Sequence, residues 1–178
     1  MFVWMVEMKV AVTGTPGVGK TSSSDLIRSV KVIHVNDIVD ECGAVVGFDE
    51  RRKTKEVDVK KLGKAVSKMD GDMLLEGHFA HLLGVDVAIV LRCSPKVLGE
   101  RLASKGWSPA KVRENVEAEA VDVILVEAVE NAPAVCEIDT TGKTPAQLAA
   151  SIEEIISGEI EKYPVGNVDW SKEVLDWF

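Results

Sequence analysis

Cysteine is scarce: Cys42, Cys93 and Cys136 are the only three in 178 residues. They are widely spaced, odd in number and form no Cys-x-x-Cys pair. That argues against a disulfide framework or a zinc site and for the reducing cytoplasm. No apolar run reaches the roughly 20 residues that cross a bilayer, so no membrane partner is expected. The opening stretch is apolar, but Glu7 and Lys9 interrupt it and no cleavage-site pattern follows, so a signal peptide is not expected. Met8 reads as the true start, with the seven residues before it as a short extension. Positive charge is also short, since 21 Lys and Arg face 29 Asp and Glu, or 21 − 29 = −8. Nucleic acid repels a net-acidic chain unless its cations cluster, so no binding of free DNA is expected. No internal repeat is present. What remains is ordinary globular material: 46% hydrophobic against 28% charged residues is too apolar for disorder, and the length suits one domain.

Short β-branched runs alternate with helical segments, the pattern of βαβ units around a parallel sheet. Strands are expected at Lys9–Thr13, Val32–Val35, Met73–Leu75, Val87–Leu91 and Val135–Ile138. Helices are expected at Lys20–Arg28 and Pro95–Ser104. Ser108-Pro109 pairs an N-cap with a proline at the first helical position and opens a long helix to about Asn131. Thr144-Pro145 repeats the signal before a helix to about Ser157. Gly43–Asp49 and Gly158–Asn167 read as linkers.

The strongest signal is Gly14-Thr15-Pro16-Gly17-Val18-Gly19-Lys20-Thr21, a full match to GxxxxGK[ST] between a strand and a helix. Glycines let the backbone curl so that its N–H groups converge on an anion, and the helix start adds its positive end. Gly17, Val18, Gly19, Lys20, Thr21 and Ser22 are the candidate ATP-phosphate residues. Lys20 can reach the β- and γ-phosphates, Thr21 can ligate Mg2+ and Ser22 can touch the α-phosphate. The loop alone does not choose a class. No Asn-Lys-x-Asp segment supports a signalling GTPase, and a motor or transport ATPase would be longer, with an apolar strand ending in Asp. A small phosphotransferase remains.

Four segments carry a resemblance: GTPGVGKT from Gly14, LLEGHFAH from Leu74, VLRCSPKVLGERLASKGW from Val90 and AKVRENVEAEA from Ala110. Together they resemble the adenylate-kinase-like nucleoside monophosphate (NMP) kinases linked to small-subunit ribosome maturation, over roughly Met8 to Ser157. The resemblance implies an α/β, doubly wound P-loop domain spanning residues 1–178, with an NMP flap at about 34–57, a short lid at about 104–114 and a tail at about 158–178. It implies ATP and Mg2+ as cofactors, phosphate transfer to AMP or another NMP, and ATP hydrolysis. It also implies a small-subunit ribosomal protein and a 30S-type precursor as partners, in 16S-type rRNA maturation. By residue, Glu76 stands where the family usually has Asp, followed by a match at His78; the pair is associated with Mg2+, water and phosphate. Arg101 matches an Arg that packs on the ATP base. Lys105 stands at a family Arg near the transferred phosphate, and Lys keeps the charge without the two-toothed grip. One departure bears on the acceptor: Asp40 stands where a phosphate-holding Arg is often found, so another cation must substitute, and Arg51-Arg52-Lys53-Thr54-Lys55 is the obvious supply.

Residues 51 to 61 hold six Lys or Arg against Glu56 and Asp58, or 6 − 2 = +4. They read either as a solvated helix face with pairs such as Glu56–Lys60, or as an acceptor-phosphate clamp or ribosomal RNA contact. His78 follows a buried strand, where catalytic groups of open α/β sheets gather. His34 and His81 lack such support, and His34 reads as packing. Arg92 reads as reaching the site or capping the next helix. The tail, with Trp170, Trp177 and Phe178, reads as a terminal helix packing its aromatics. Lys20, Lys105 and Arg113 are expected around the moving phosphoryl, with Thr21 and Glu76 at the metal and His78 orienting water. Two alternatives stand beside this: a sugar, shikimate or coenzyme-precursor kinase, and an assembly ATPase with incidental kinase activity.

Overall fold

The computed structural model describes residues 7–50 and 54–177. Along the chain run β1 (Lys9–Thr13), α1 (Lys20–Ser24), β2 (Lys31–His34), α2 (Val35–Glu41), β3 (Val45–Asp49), β4 (Thr54–Val57), α3 (Val59–Val66), β5 (Met73–Glu76), β6 (Val87–Arg92), α4 (Pro95–Ser104), α5 (Pro109–Ala120), α6 (Val123–Asn131), β7 (Ala134–Asp139), α7 (Pro145–Ile156) and α8 (Ser171–Leu175).

Five strands form one sheet in the order β2-β5-β1-β6-β7, and every pairing in it is parallel. The interior positions of its central strands are apolar because both faces are covered. Val10, Val12, Leu74, Ile89 and Leu91 pack with Leu98 and Leu102 of α4 and Leu148 and Ile152 of α7. The alternate residues Ala11, Leu75, Ala88 and Val90 pack with Val39 of α2, Leu62 of α3 and Leu125 of α6. This is the expected doubly wound arrangement. Parallel strands end on one edge, so Thr13, His34, Glu76, Arg92 and Asp139 line up there. The loop after β1 leaves the sheet between β5 and β6, where open α/β sheets bind their ligands.

Helix starts follow their sequence signals. Ser94 caps α4 and Ser108 caps α5, each followed by proline, and Thr144 with Gln147 forms a reciprocal capping box on α7. Three expectations need correction. The helix expected over Lys20–Arg28 stops at Ser24. The Ser23 hydroxyl turns back to the Gly19 and Lys20 carbonyls, the local bonding by which serine weakens helices. The long helix expected to Asn131 is two helices, α5 and α6, broken at Asp122, whose φ of 59° is left-handed. Finally, Gly43–Asp49 is no linker but largely strand β3, paired antiparallel with β4. Val46 and Phe48 are exposed on this two-stranded ribbon, so it has no buried face to impose a readable alternation.

The helical Glu56–Lys60 pair does not form, because Glu56 lies in β4 and Lys60 in α3. The tail departs from a simple aromatic cap. Gly166 N–H and the Asn167 side chain donate to Glu137, the Trp170 indole donates to Glu119, and Trp177 stays 44% exposed.

Candidate active site

Backbone requirements shape the loop after β1. Gly14 has φ 136°, and a Cβ there would lie 2.4 Å from the Leu91 carbonyl oxygen. Gly17 has φ 95°, and a Cβ there would lie 2.8 Å from a Leu102 methyl carbon. Both positions need glycine for conformation and space. The buried Val18 side chain anchors the loop in the core. The helix that follows the loop, α1, is only five residues long.

Lys20 is buried and folds back along the loop, donating to the Gly14 carbonyl at 2.7 Å and the Thr15 carbonyl at 3.1 Å. Burial pushes its pKa down to about 8; the charge of Lys105 acts the same way, while Glu76 and Glu119 oppose both. Lys105, at the C-terminal cap of α4, is therefore within electrostatic reach of Lys20.

A second line of contacts crosses the sheet edge. The Thr21 hydroxyl donates to Glu76 Oε1 at 3.3 Å. Glu76 Oε2 meets His34 Nδ1 at 2.8 Å, and His34 Nε2 meets Asp25 Oδ1 at 3.0 Å. The hydrogen bond to Glu76 raises the His34 pKa; burial opposes it, and the charges of Glu76, Asp25 and Asp37 add to it. His34, read as mere packing, is thus a partner of the expected metal ligand. Its signal lay in strand pairing, since the register sets His34 opposite Glu76.

The remaining expected residues fall unevenly. Ser22 is exposed and bonds the Gly19 carbonyl. Arg101 donates to the Thr140 carbonyl at 3.4 Å, in the turn after β7. His78 follows β5 with its ring edge-on to Phe79 at 4.8 Å. Loss of solvent around the ring lowers its pKa, followed by the charges of Lys20 and His81, against Glu76. Arg113 is not grouped with the loop; it lines a groove of about 1010 Å³ between α4, α5 and the tail, with Pro95, Trp107, Val112 and Trp177. Asp40 does not stand free, because Lys55 of β4 pairs with it. Lys61 donates to the Gly43 carbonyl at 2.7 Å. Arg51, Arg52 and Lys53, expected as acceptor cations, lie outside the described residues.

Behind the loop lies a buried polar cluster that the sequence did not announce. Thr15 donates to Glu119 Oε2 at 2.6 Å. Arg92 neither reaches the nucleotide loop nor caps α4. Its Nε donates to Glu119 Oε1 at 2.7 Å, its Nη1 to Glu137 Oε1 at 2.6 Å, and its Nη2 to the Glu119 carbonyl at 3.1 Å and to Asp122. Glu119 sits inside the resembling segment after the lid, but nothing in its spacing marks it as pointing inward.

The model of a family described as "AAA domain" matches residues 10–122. A "Putative adenylate kinase" of Archaeoglobus fulgidus is 43% identical over 174 residues, 95% of each chain. One of Natronomonas pharaonis is 44% identical, covering 93% of this chain and 99% of its own. Among solved structures, a gluconokinase from Sinorhizobium meliloti 1021 matches with TM-score 0.53 at 14% identity, covering 87% of this chain and 94% of its own. TT1252 from Thermus thermophilus matches with TM-score 0.53 at 15% identity, covering 86% and 98%. These two show the fold alone. The P-loop geometry and the close archaeal relatives place the chain in one family: it belongs to the P-loop phosphotransferases that carry the name putative adenylate kinase in archaea.

Proposed function

We propose that the protein transfers the terminal phosphate of ATP to AMP or a related NMP. The observation that carries this is the pairing of the glycine loop and buried Lys20 with a Thr21–Glu76 contact at the strand ends. The names of the archaeal relatives support the acceptor class. A hydroxyl and a carboxylate are hard oxygen donors, and no cluster of three or more His, Cys, Asp or Glu exists among the described residues. That set fits Mg2+, which keeps several waters and leans on nucleotide phosphates rather than a full protein cage. Thr21 and Glu76 would hold it, and when bound it neutralises phosphate charge.

Phosphoryl transfer asks the protein mainly for alignment and charge neutralisation. Lys20 exchanges its two carbonyl partners for phosphate oxygens. Lys105 approaches from α4, and Arg113 must swing in with the lid to join it. Arg101 lies beside the turn after β7 and holds the base side. The Asp40–Lys55 pair removes the acid that would repel an acceptor phosphate, leaving the flap's remaining cations to grip it. A lid this short excludes water poorly, so ATPase activity accompanies transfer, with His78 orienting the attacking water.

On the family resemblance we also infer a role in small-subunit ribosome maturation, with a ribosomal protein as partner. One panel separates these readings: ADP formation from ATP with AMP, CMP, dAMP, gluconate or shikimate, or with a small-subunit ribosomal protein and no acceptor. AMP-dependent turnover that vanishes in Lys20→Ala is expected. Turnover that responds only to gluconate or shikimate, or that survives in Lys20→Ala, refutes the assignment.

A further inference from the structure

The phosphate loop is held from behind by a residue that no nucleotide would touch. Thr15 is the second residue of the loop and is buried. Its hydroxyl has one carboxylate partner, Glu119 Oε2 at 2.6 Å, near the end of α5. Its carbonyl is one of the two oxygens that Lys20 occupies. Whatever fixes Thr15 therefore fixes both the first turn of the loop and the resting place of the lysine.

Glu119 is itself fixed on three sides. Oε1 accepts from Arg92 Nε at 2.7 Å, Cys93 N–H at 3.2 Å and Trp170 Nε1 at 3.3 Å. The contacts come from a central strand end, the following linker and the tail, so the carboxylate has little freedom to turn. The buried carboxylates of Glu119 and Glu137 outnumber Arg92 by one. Lys20 is the buried cation that senses Glu119 across the loop. A buried charge is retained at such cost only where its bonds are made, and one of those bonds is spent on the loop.

We propose that Glu119 is a positioning residue for the phosphate loop, setting it through the Thr15 hydroxyl, with Arg92 and Trp170 holding Glu119 in place. This rests on the nucleotide reading of the loop. The lid helix α5 is thereby tied to the loop at its C-terminal end and leaves its N-terminal end, near Ser108, to move. Nucleotide affinity then depends on a residue of α5 and, through Trp170, on the tail.

The test uses the full chain with Mg2+ and ATP, reading ATP affinity by calorimetry and the KM for ATP against kcat. Thr15→Val keeps the shape and removes the hydroxyl, Thr15→Ser restores the hydroxyl, and Glu119→Asp keeps a negative charge in the cluster but draws the carboxylate back from Thr15. Thr15→Val and Glu119→Asp should each weaken ATP binding about ten-fold, the scale of a lost hydrogen bond to a charged group. Thr15→Ser should bind within about two-fold of the parent, and the double variant should be no weaker than the worse single one. The loss should fall on KM; a variant that is merely less folded loses kcat and keeps KM. Parental affinity in Thr15→Val, failure of Thr15→Ser to restore it, or losses that multiply in the double variant overturn the proposal. If Thr15→Val does not fold, Glu119→Asp decides alone, since a folded Glu119→Asp with unchanged affinity overturns it. A parent that binds no ATP instead refutes the nucleotide reading, and the proposal with it.

Discussion

Replacing Arg92 by methionine removes the cation from a buried polar cluster. Arg92 is 1% exposed, Glu119 3% and Glu137 0%, so no solvent can replace the guanidinium. Four of its bonds are lost together, two of them the principal charge partners of buried carboxylates. Asp122 is half-exposed and turns to water, so it adds little. Removing one member of a buried ion pair costs about 3–5 kcal/mol, most of it the uncompensated charge left behind. Total stability for a domain is about 5–15 kcal/mol. For a chain of this size each kcal/mol moves Tm by about 2–4 °C, so Arg92→Met should melt roughly 6–20 °C below the parent. Adding Glu119→Gln and Glu137→Gln to Arg92→Met should recover part of the loss, because both orphaned charges disappear. Calorimetric melting of the four proteins, the parent with the single, double (Glu137→Gln) and triple variants, reads this directly. A single variant that melts with the parent, or a triple variant that melts well below the single one, would refute the charge argument and leave a packing defect as the cause.

Three further outcomes follow from the site. Gly17→Ala forces a Cβ against Leu102 at 2.8 Å with a φ of 95°, and should abolish measurable ATP binding in a calorimetric titration while leaving a folded circular dichroism spectrum. Lys20 has a folded pKa of about 8, below the 10.5 of an ordinary lysine, because burial disfavours its charge. The unfolded chain then binds more protons between these values, so this residue's contribution to unfolding free energy rises with pH from about 8 to 10.5 and is level below that window; urea melts across pH 7 to 11 of the parent against Lys20→Met should show that difference. His78→Ala should lower the acceptor-independent ATPase rate at least as much as transfer to AMP, and an unchanged ATPase rate removes His78 from the reaction.

The parts of this fold that could be read from the sequence are those where one local rule suffices. Central strands buried on both faces announce themselves as apolar runs, and Ser-Pro and Thr-Pro pairs announce helix starts. The glycine loop is legible because every fixed position answers a backbone need. The β3–β4 ribbon was not, because its apolar residues face solvent and its pairing gives no sequence period. Nor was the break at Asp122, where α5 and α6 read as one helix until Arg92 is seen holding both Glu119 and Asp122. His34 and Glu119 share the reason: each matters through a partner far away in sequence, 42 residues for His34 to Glu76 and 104 for Thr15 to Glu119.

The two buried cations show why such partners decide function. Arg92 meets three carboxylates and one main-chain carbonyl, and its pKa is raised even though burial works against its charge, because Glu119 and Asp122 more than compensate. It cannot leave those partners without stranding them, so it serves as a fixed strut. Lys20 is also buried, but its hydrogen bonds go to two main-chain carbonyls, and its pKa falls. A lysine whose hydrogen bonds all go to neutral acceptors gains most when an anion arrives, because phosphate oxygens add charged contacts to the distant compensation that Glu76 and Glu119 provide. The same sheet edge thus carries one cation that is complete without a ligand and one that is completed by it, and only the second is suited to hold a phosphate.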